Sequence, residues 1–89
     1  MSGIEPEVKS DLLRRLRRIE GQTRGVARMI EEDRDCQDIL QQLSAIRAAV
    51  YKTSLGLMRS YAFECIQKTH EDSPEDVVDA LIRALSRIA

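Results

Sequence analysis

Two thiols, a single imidazole and a crowd of guanidinium groups are the side chains of this 89-residue sequence that could do chemistry. On one helix, with ~1.5 Å of rise per residue, Cys36 and Cys65 would lie ~43 Å apart and could not meet within a chain. At ~100° per residue their directions differ by only ~20°, and Tyr61 falls on the same stripe at about −20° from Cys36. Thiol chemistry joining them therefore needs a second copy of the chain. Core packing is the competing assignment, because free cysteine is among the most often buried residue types. Cys36 has the better claim to reactivity, since a helix N-terminus favours the thiolate, although Asp33, Asp35 and Asp38 oppose it. His70 lies ~160° round the helix from Cys36 and reads as a helix-end or surface residue. There is no Cys-x-x-Cys, no histidine beside either thiol and no glycine-rich phosphate loop, so no enzyme is expected.

Three helical segments must position these groups. The first spans about Pro6 to Glu32, with proline suited to its first turn and Leu12, Leu16, Ile19, Val26 and Ile30 as an apolar stripe. Gly21 and Gly25, four apart, offer either a close approach for another helix or a local weakness. The second begins at Cys36, with Asp35 as its cap and Asp38 in the first turn, and runs to about His70. Its apolar positions are Ile39, Leu43, Ile46, Val50, Leu57 and Tyr61. A helix of that length cannot be covered by one short hairpin, so it implies burial against copies of itself. Ser73-Pro74-Glu75-Asp76 is a helix start of cap, proline and two acids, opening a third helix to about Ile88. The fold class is all-α: one domain over residues 1–89, a long helical hairpin plus a short third helix.

Net charge is −1, with 14 basic and 15 acidic residues, yet the layout is uneven. Residues 9–30 hold Lys9, Arg14, Arg15, Arg17, Arg18, Arg24 and Arg28 against only Asp11 and Glu20, a pattern that suits a polyanion-facing surface. No run reaches the ~20 apolar residues of a membrane span, so no membrane partner is expected. No basic stretch leads into an apolar core at the N-terminus, so the chain reads as cytoplasmic, where cysteines stay reduced.

The run from Leu13 through Arg14-Arg15-Leu16-Arg17-Arg18-Ile19-Glu20-Gly21-Gln22-Thr23-Arg24-Gly25 to Val26 resembles the signature of the CsoR/RcnR family, the copper-sensitive operon repressors. So do Met29 to Leu40, with Asp35-Cys36-Gln37 at their centre, and Gln42 to Ala49. The similarity spans roughly residues 9–88. It implies an antiparallel dimer forming four-helix bundles, a tetramer made as a dimer of dimers, and binding to operator DNA without a helix-turn-helix. It also implies a sensing site between protomers, where antiparallel pairing would set Cys36 of one chain beside Cys65 of the other, twice per dimer. Arg14, Arg15, Arg18 and Arg24, with Arg47 and Lys52 on the second helix, occupy positions the resemblance marks as basic and DNA-binding.

Branches of that family sense Cu(I), Ni(II) or Co(II), formaldehyde, or reactive sulfur. The copper-sensing pattern is Cys–His–Cys at positions matching 36, 61 and 65, whereas Tyr61 stands in the middle place here. A neutral phenol is a poor ligand for a soft cation, so only a two-thiolate Cu(I) site remains. The histidines of the nickel branch are missing, and Ser2 stands where the formaldehyde branch has proline. A site of two cysteines without histidine most resembles the CstR-type branch. On that reading a persulfide or polysulfide inducer links Cys36 to Cys65 between protomers, and no metal or other cofactor is expected. The alternative is a Cu(I)-responsive repressor with Cys36 and Cys65 as its only ligands.

Overall fold

The computed structural model describes residues 4–67 and 71–88. Among them lie three helices and no strand: α1, Pro6–Glu31; α2, Cys36–Gln67; and α3, Pro74–Ile88. Each boundary has a local cause. Pro6 occupies the first turn of α1, where its missing N–H costs nothing, and the Lys9 amide donates to the Glu5 carbonyl at 2.9 Å. At the other end the chain reverses through Asp33, whose φ of 54° is left-handed. The Arg34 amide reaches back to the Met29 carbonyl at 2.9 Å and the Asp33 amide to Ile30 at 3.1 Å, which satisfies the last carbonyls of α1 in a Schellman turn. Asp tolerates that conformation better than most residues other than glycine. At the start of α3 the Ser73 hydroxyl accepts from the Asp76 amide at 3.2 Å, with Glu75 and Asp76 complementing the helix dipole. The expected second helix reached His70, which lies outside the described residues.

α1 and α2 form an antiparallel hairpin with Leu12 and Val26 of α1 buried in it. Leu12 packs tightly against α2 at Gly56, where a Cβ would stand 3.2 Å from Leu12 Cδ2. Within the protomer Gly21 and Gly25 play no such part: nothing lies within 4 Å of a Cβ at Gly25, and only the Arg24 guanidinium, at 3.8 Å, is near one at Gly21. α3 folds back on the C-terminal half of α2, burying Val77 and Cys65.

The protomer remains open. Its radius of gyration is 17.3 Å and its extents are 56 × 26 × 13 Å, whereas a compact chain of this length has a radius near ~12 Å. Leu16 and Ile30, expected in the apolar stripe of α1, stay exposed. On α2, Leu43, Val50 and Leu57 are 46%, 45% and 39% exposed. They lie within ~60° of Cys36 on the helix surface, while the strip covered by α1 (Ile46, Thr53, Gly56) is centred ~100° further round. A second exposed apolar strip carries Tyr51, Leu55 and Ile66. Among the described residues, no helix is long and apolar enough to cross a membrane.

Candidate sensing site and nucleic-acid interface

Cys36 is the first residue of α2 and is exposed, whereas Cys65 is 7% exposed beneath α3. Both thiols are free, as their placement near opposite ends of one helix requires. The two sulfurs, Tyr61, Leu43, Val50 and Leu57 share the stripe that α1 leaves uncovered, so the apolar seam and the thiols face the same way.

Cys65 lines a pocket of about 130 Å³ with Tyr61, Glu64, Asp72, Asp76, Val77 and Ala80. Tyr61 sits one helical turn before Cys65, and its phenol is held above the ordinary value of 10.0. Its hydrogen bond to the Cys65 sulfur is the main cause, followed by the charge of that sulfur and by burial, with Arg83 pulling the other way. The side chain in the middle place is thus engaged with the thiol and supplies no third soft donor. A larger groove of about 460 Å³ opens beside it between α2 and α3, lined by Leu57, Met58 and Tyr61 on one side and by Ala80, Arg83, Ala84 and Arg87 on the other. Three carboxylates therefore surround the buried thiol and three more, Asp33, Asp35 and Asp38, are near Cys36 in the chain, against Arg83 and Arg34. Sequence reading missed Glu64, the chain neighbour of Cys65 on α2, and it missed Asp72, Asp76 and Arg83, whose approach to Cys65 and Tyr61 depends on how α3 returns.

Within one protomer no cluster of three or more His, Cys, Asp or Glu side chains suits a metal among the described residues. Two sulfurs alone, were they brought together, would suit a soft monovalent cation and not ions that demand four nitrogen or sulfur ligands.

The basic residues divide by face. Arg14, Arg18 and Arg24 lie on the side of α1 away from α2, with Arg17 and Arg28, and all five are exposed. Arg14 and Arg15 are tied to one carboxylate, with Arg14 Nη2 2.6 Å from Asp11 Oδ1 and Arg15 Nε 2.8 Å from Asp11 Oδ2. Arg47 falls on the uncovered apolar stripe of α2, ~20° from Cys36, and Lys52 lies ~140° away from Arg47. The structure therefore does not bring the six expected DNA contacts onto one surface of the protomer.

Known proteins share this architecture. The family described as the metal-sensitive transcriptional repressors matches residues 8–87. The copper-sensing transcriptional repressor RicR of Mycobacterium tuberculosis is 38% identical over 81 residues, covering 91% of this chain and 84% of that protein. The copper-sensing transcriptional repressor CsoR of Bacillus subtilis is 47% identical over 58 residues, 65% of this chain and 57% of that protein. The structure of the nickel-responsive transcriptional regulator InrS superposes with a TM-score of 0.83 at 32% identity, covering 100% of this chain and 98% of that one. With its three helices, its hairpin and its sequence all matching, the chain belongs to the metal-sensitive transcriptional repressor family, the CsoR/RcnR family, whose matched members are transcriptional repressors and not enzymes.

Proposed function

We propose that this chain is a cytoplasmic DNA-binding repressor that releases its operator when Cys36 of one protomer and Cys65 of the partner subunit are joined by Cu(I). The observation that carries this reading is the shared uncovered stripe. Both sulfurs and an unburied row of leucine and valine lie on the stripe of α2 that α1 leaves uncovered, so a second copy packed antiparallel on that row would bring unlike thiols toward each other at both ends, with α3 giving way over the buried Cys65 to admit Cys36 of the partner subunit. The exposed Tyr51 and Leu55 strip gives such a dimer a surface for pairing into a tetramer.

Copper is preferred over reactive sulfur for two reasons. RicR and CsoR are copper-sensing repressors. The carboxylates that line the Cys65 pocket, and Asp33, Asp35 and Asp38 close to Cys36 in the chain, also favour a cation over an anionic polysulfide. When bound, Cu(I) would supply a two-sulfur link between protomers. The residues of the chain do the rest: Tyr61 donates to the Cys65 sulfur, Val77 and Ala80 keep water from it, and the helices it bridges carry the change to α1. A coupling of about 1–3 kcal/mol lowers DNA affinity about 5- to 150-fold.

Reactive sulfur is the second reading, favoured by Tyr61 in contact with Cys65 in place of a nitrogen ligand. On that reading the Cys36 thiolate takes the outer sulfur of a hydropersulfide and releases its thiolate. Cys65 of the partner subunit then attacks the Cys36 sulfur, forming the interprotomer disulfide and expelling hydrosulfide.

The deciding experiment treats wild type and Cys36→Ser anaerobically with Cu(I) or with polysulfide. It follows DNA release by anisotropy and cross-linking by mass spectrometry. Stoichiometric Cu(I) uptake with DNA release in wild type alone supports copper. An interprotomer Cys36–Cys65 link formed by polysulfide, with weak Cu(I) uptake, supports sulfur. Normal release by Cys36→Ser removes the sensing site altogether.

A further inference from the structure

Arg83 and Arg87 stand one turn apart on α3, and both line the groove between α2 and α3. Arg87 lies in the last turn of α3, where its charge complements the helix dipole. Arg83 has no such local role. Asp79, one turn earlier, is at the spacing of a helix pair, yet Arg83 forms no ion pair among the described residues. It lies across the groove from Leu57, Met58 and Tyr61, near enough to the Tyr61 phenol to oppose the effect of Cys65 on it. An exposed cation thus borders the buried thiol, on the helix that must yield when Cys36 of the partner subunit approaches.

The approaching segment brings charge of its own. In the antiparallel register that opposes Cys36 to Cys65, Tyr61 faces Leu40 of the partner subunit and Ser54 faces Arg47 of the partner subunit. The N-terminal half of the partner's α2 therefore runs along this groove, led in by the Asp33-Arg34-Asp35 segment. Around Cys65 that segment meets Glu64, Asp72 and Asp76, so closing the site gathers carboxylates from both protomers. Like charges brought into a partly dry interface oppose one another unless cations are placed between them. Asp35 immediately precedes Cys36, so it reaches the Tyr61 end of the groove together with the thiol, and Arg83 is the cation that borders that end.

We infer that Arg83 pairs with Asp35 of the partner subunit and so clamps α3 onto the partner's α2 when the two thiols meet. Arg83 is a positioning residue: it acts through the carboxylate and holds Cys36 against Cys65, while its charge offsets that of two thiolates brought together. The inference rests on the interprotomer Cys36–Cys65 reading and adds the contact that secures it. A planar fork of donors suits a carboxylate, which favours arginine over lysine at this place. As α3 gives way over Cys65, the pair supplies a new hold for it on the second protomer.

The test uses the full chain, anaerobic and free of metal, with dibromobimane, whose two bromides are displaced by neighbouring thiolates to leave a fluorescent bridge. The rate of fluorescence gain is read beside the interprotomer product on a denaturing gel, assigned to Cys36 and Cys65 by mass spectrometry. Arg83→Gln and Asp35→Asn, which keeps a capping side chain, should each slow bridging about two- to five-fold, the range for a solvent-accessible ion pair. The double variant should be no slower than either single one, and Arg83→Lys should recover part of the rate. Arg87→Gln should match wild type. Raising salt from about 0.05 to 0.5 M should slow wild type and leave Arg83→Gln unchanged. Thermal melts establish that each variant is folded. Unchanged bridging in Arg83→Gln, losses that add in the double variant, or an equal loss in Arg87→Gln overturn the clamp while the paired thiols stand. A wild type that forms no Cys36–Cys65 bridge between protomers overturns both.

Discussion

The phenol of Tyr61 donates to a sulfur one turn away, and that hydrogen bond holds its proton above the usual tyrosine value. Because the folded value is raised, the contribution to stability is fully present below about pH 10 and is lost as pH rises through the folded value. In a Tyr51→Phe background, where one phenol reports, ultraviolet titration should give a midpoint above 10.0, and Cys65→Ala should bring it down. An unmoved midpoint in that double variant would show that the sulfur is not the cause. Asp11 shows the opposite sign. Hydrogen bonds from Arg15 and then Arg14 hold its carboxyl below the ordinary value of 3.8, so its contribution is present above that value and is lost as pH falls through the folded one. Solvent screens this surface carboxylate, so Asp11→Asn should shift Tm no more than the scatter between repeat melts.

At the scale of elements, the helix ends behave as local signals require. Ser73→Ala removes the hydroxyl that accepts from the Asp76 amide and should cost about 0.5–2 kcal/mol. For a domain of this size that lowers Tm by several degrees, since about 1 kcal/mol corresponds to roughly 4–8 °C. Glycines within the helices separate local from tertiary effects. Gly25→Ala gains helix propensity of about 1 kcal/mol in open space. Gly56→Ala gains the same but sets a methyl 3.2 Å from the buried Leu12, which must shift. Gly25→Ala should therefore raise Tm more than Gly56→Ala, and the reverse order in paired calorimetric scans would contradict the hairpin packing. The Ser-Pro-Glu-Asp start of α3 could be read in the sequence because all its parts lie within one turn. The approach of Leu12 to Gly56 could not, since residues so far apart in the chain meet only once the hairpin closes.

At the scale of the whole molecule, the protomer leaves much of its apolar surface uncovered. Its described core contains Leu12, Val26, Cys65 and Val77, while many larger apolar side chains face outward. Stability should therefore depend on assembly, and Tm should rise with protein concentration. Val50→Lys, in the middle of the uncovered stripe, should dissociate the protein at sedimentation equilibrium and lower Tm. A concentration-independent melt in which Val50→Lys matches wild type would mean that this face is never covered.

Helical periods, the Pro6 and Ser73 starts and the placing of Cys36 and Cys65 on one stripe were all legible in the chain itself. They depend on interactions within a few residues and on the fixed turn of a helix. Only the tertiary structure decided which strip of α2 is covered by α1, that α3 buries Cys65 among carboxylates, and that Leu12 packs close against α2 at Gly56. The physical reason is rotation: a helix carries its residues at known angles from one another, but its orientation about its own axis is set by the side chains it meets from distant parts of the sequence.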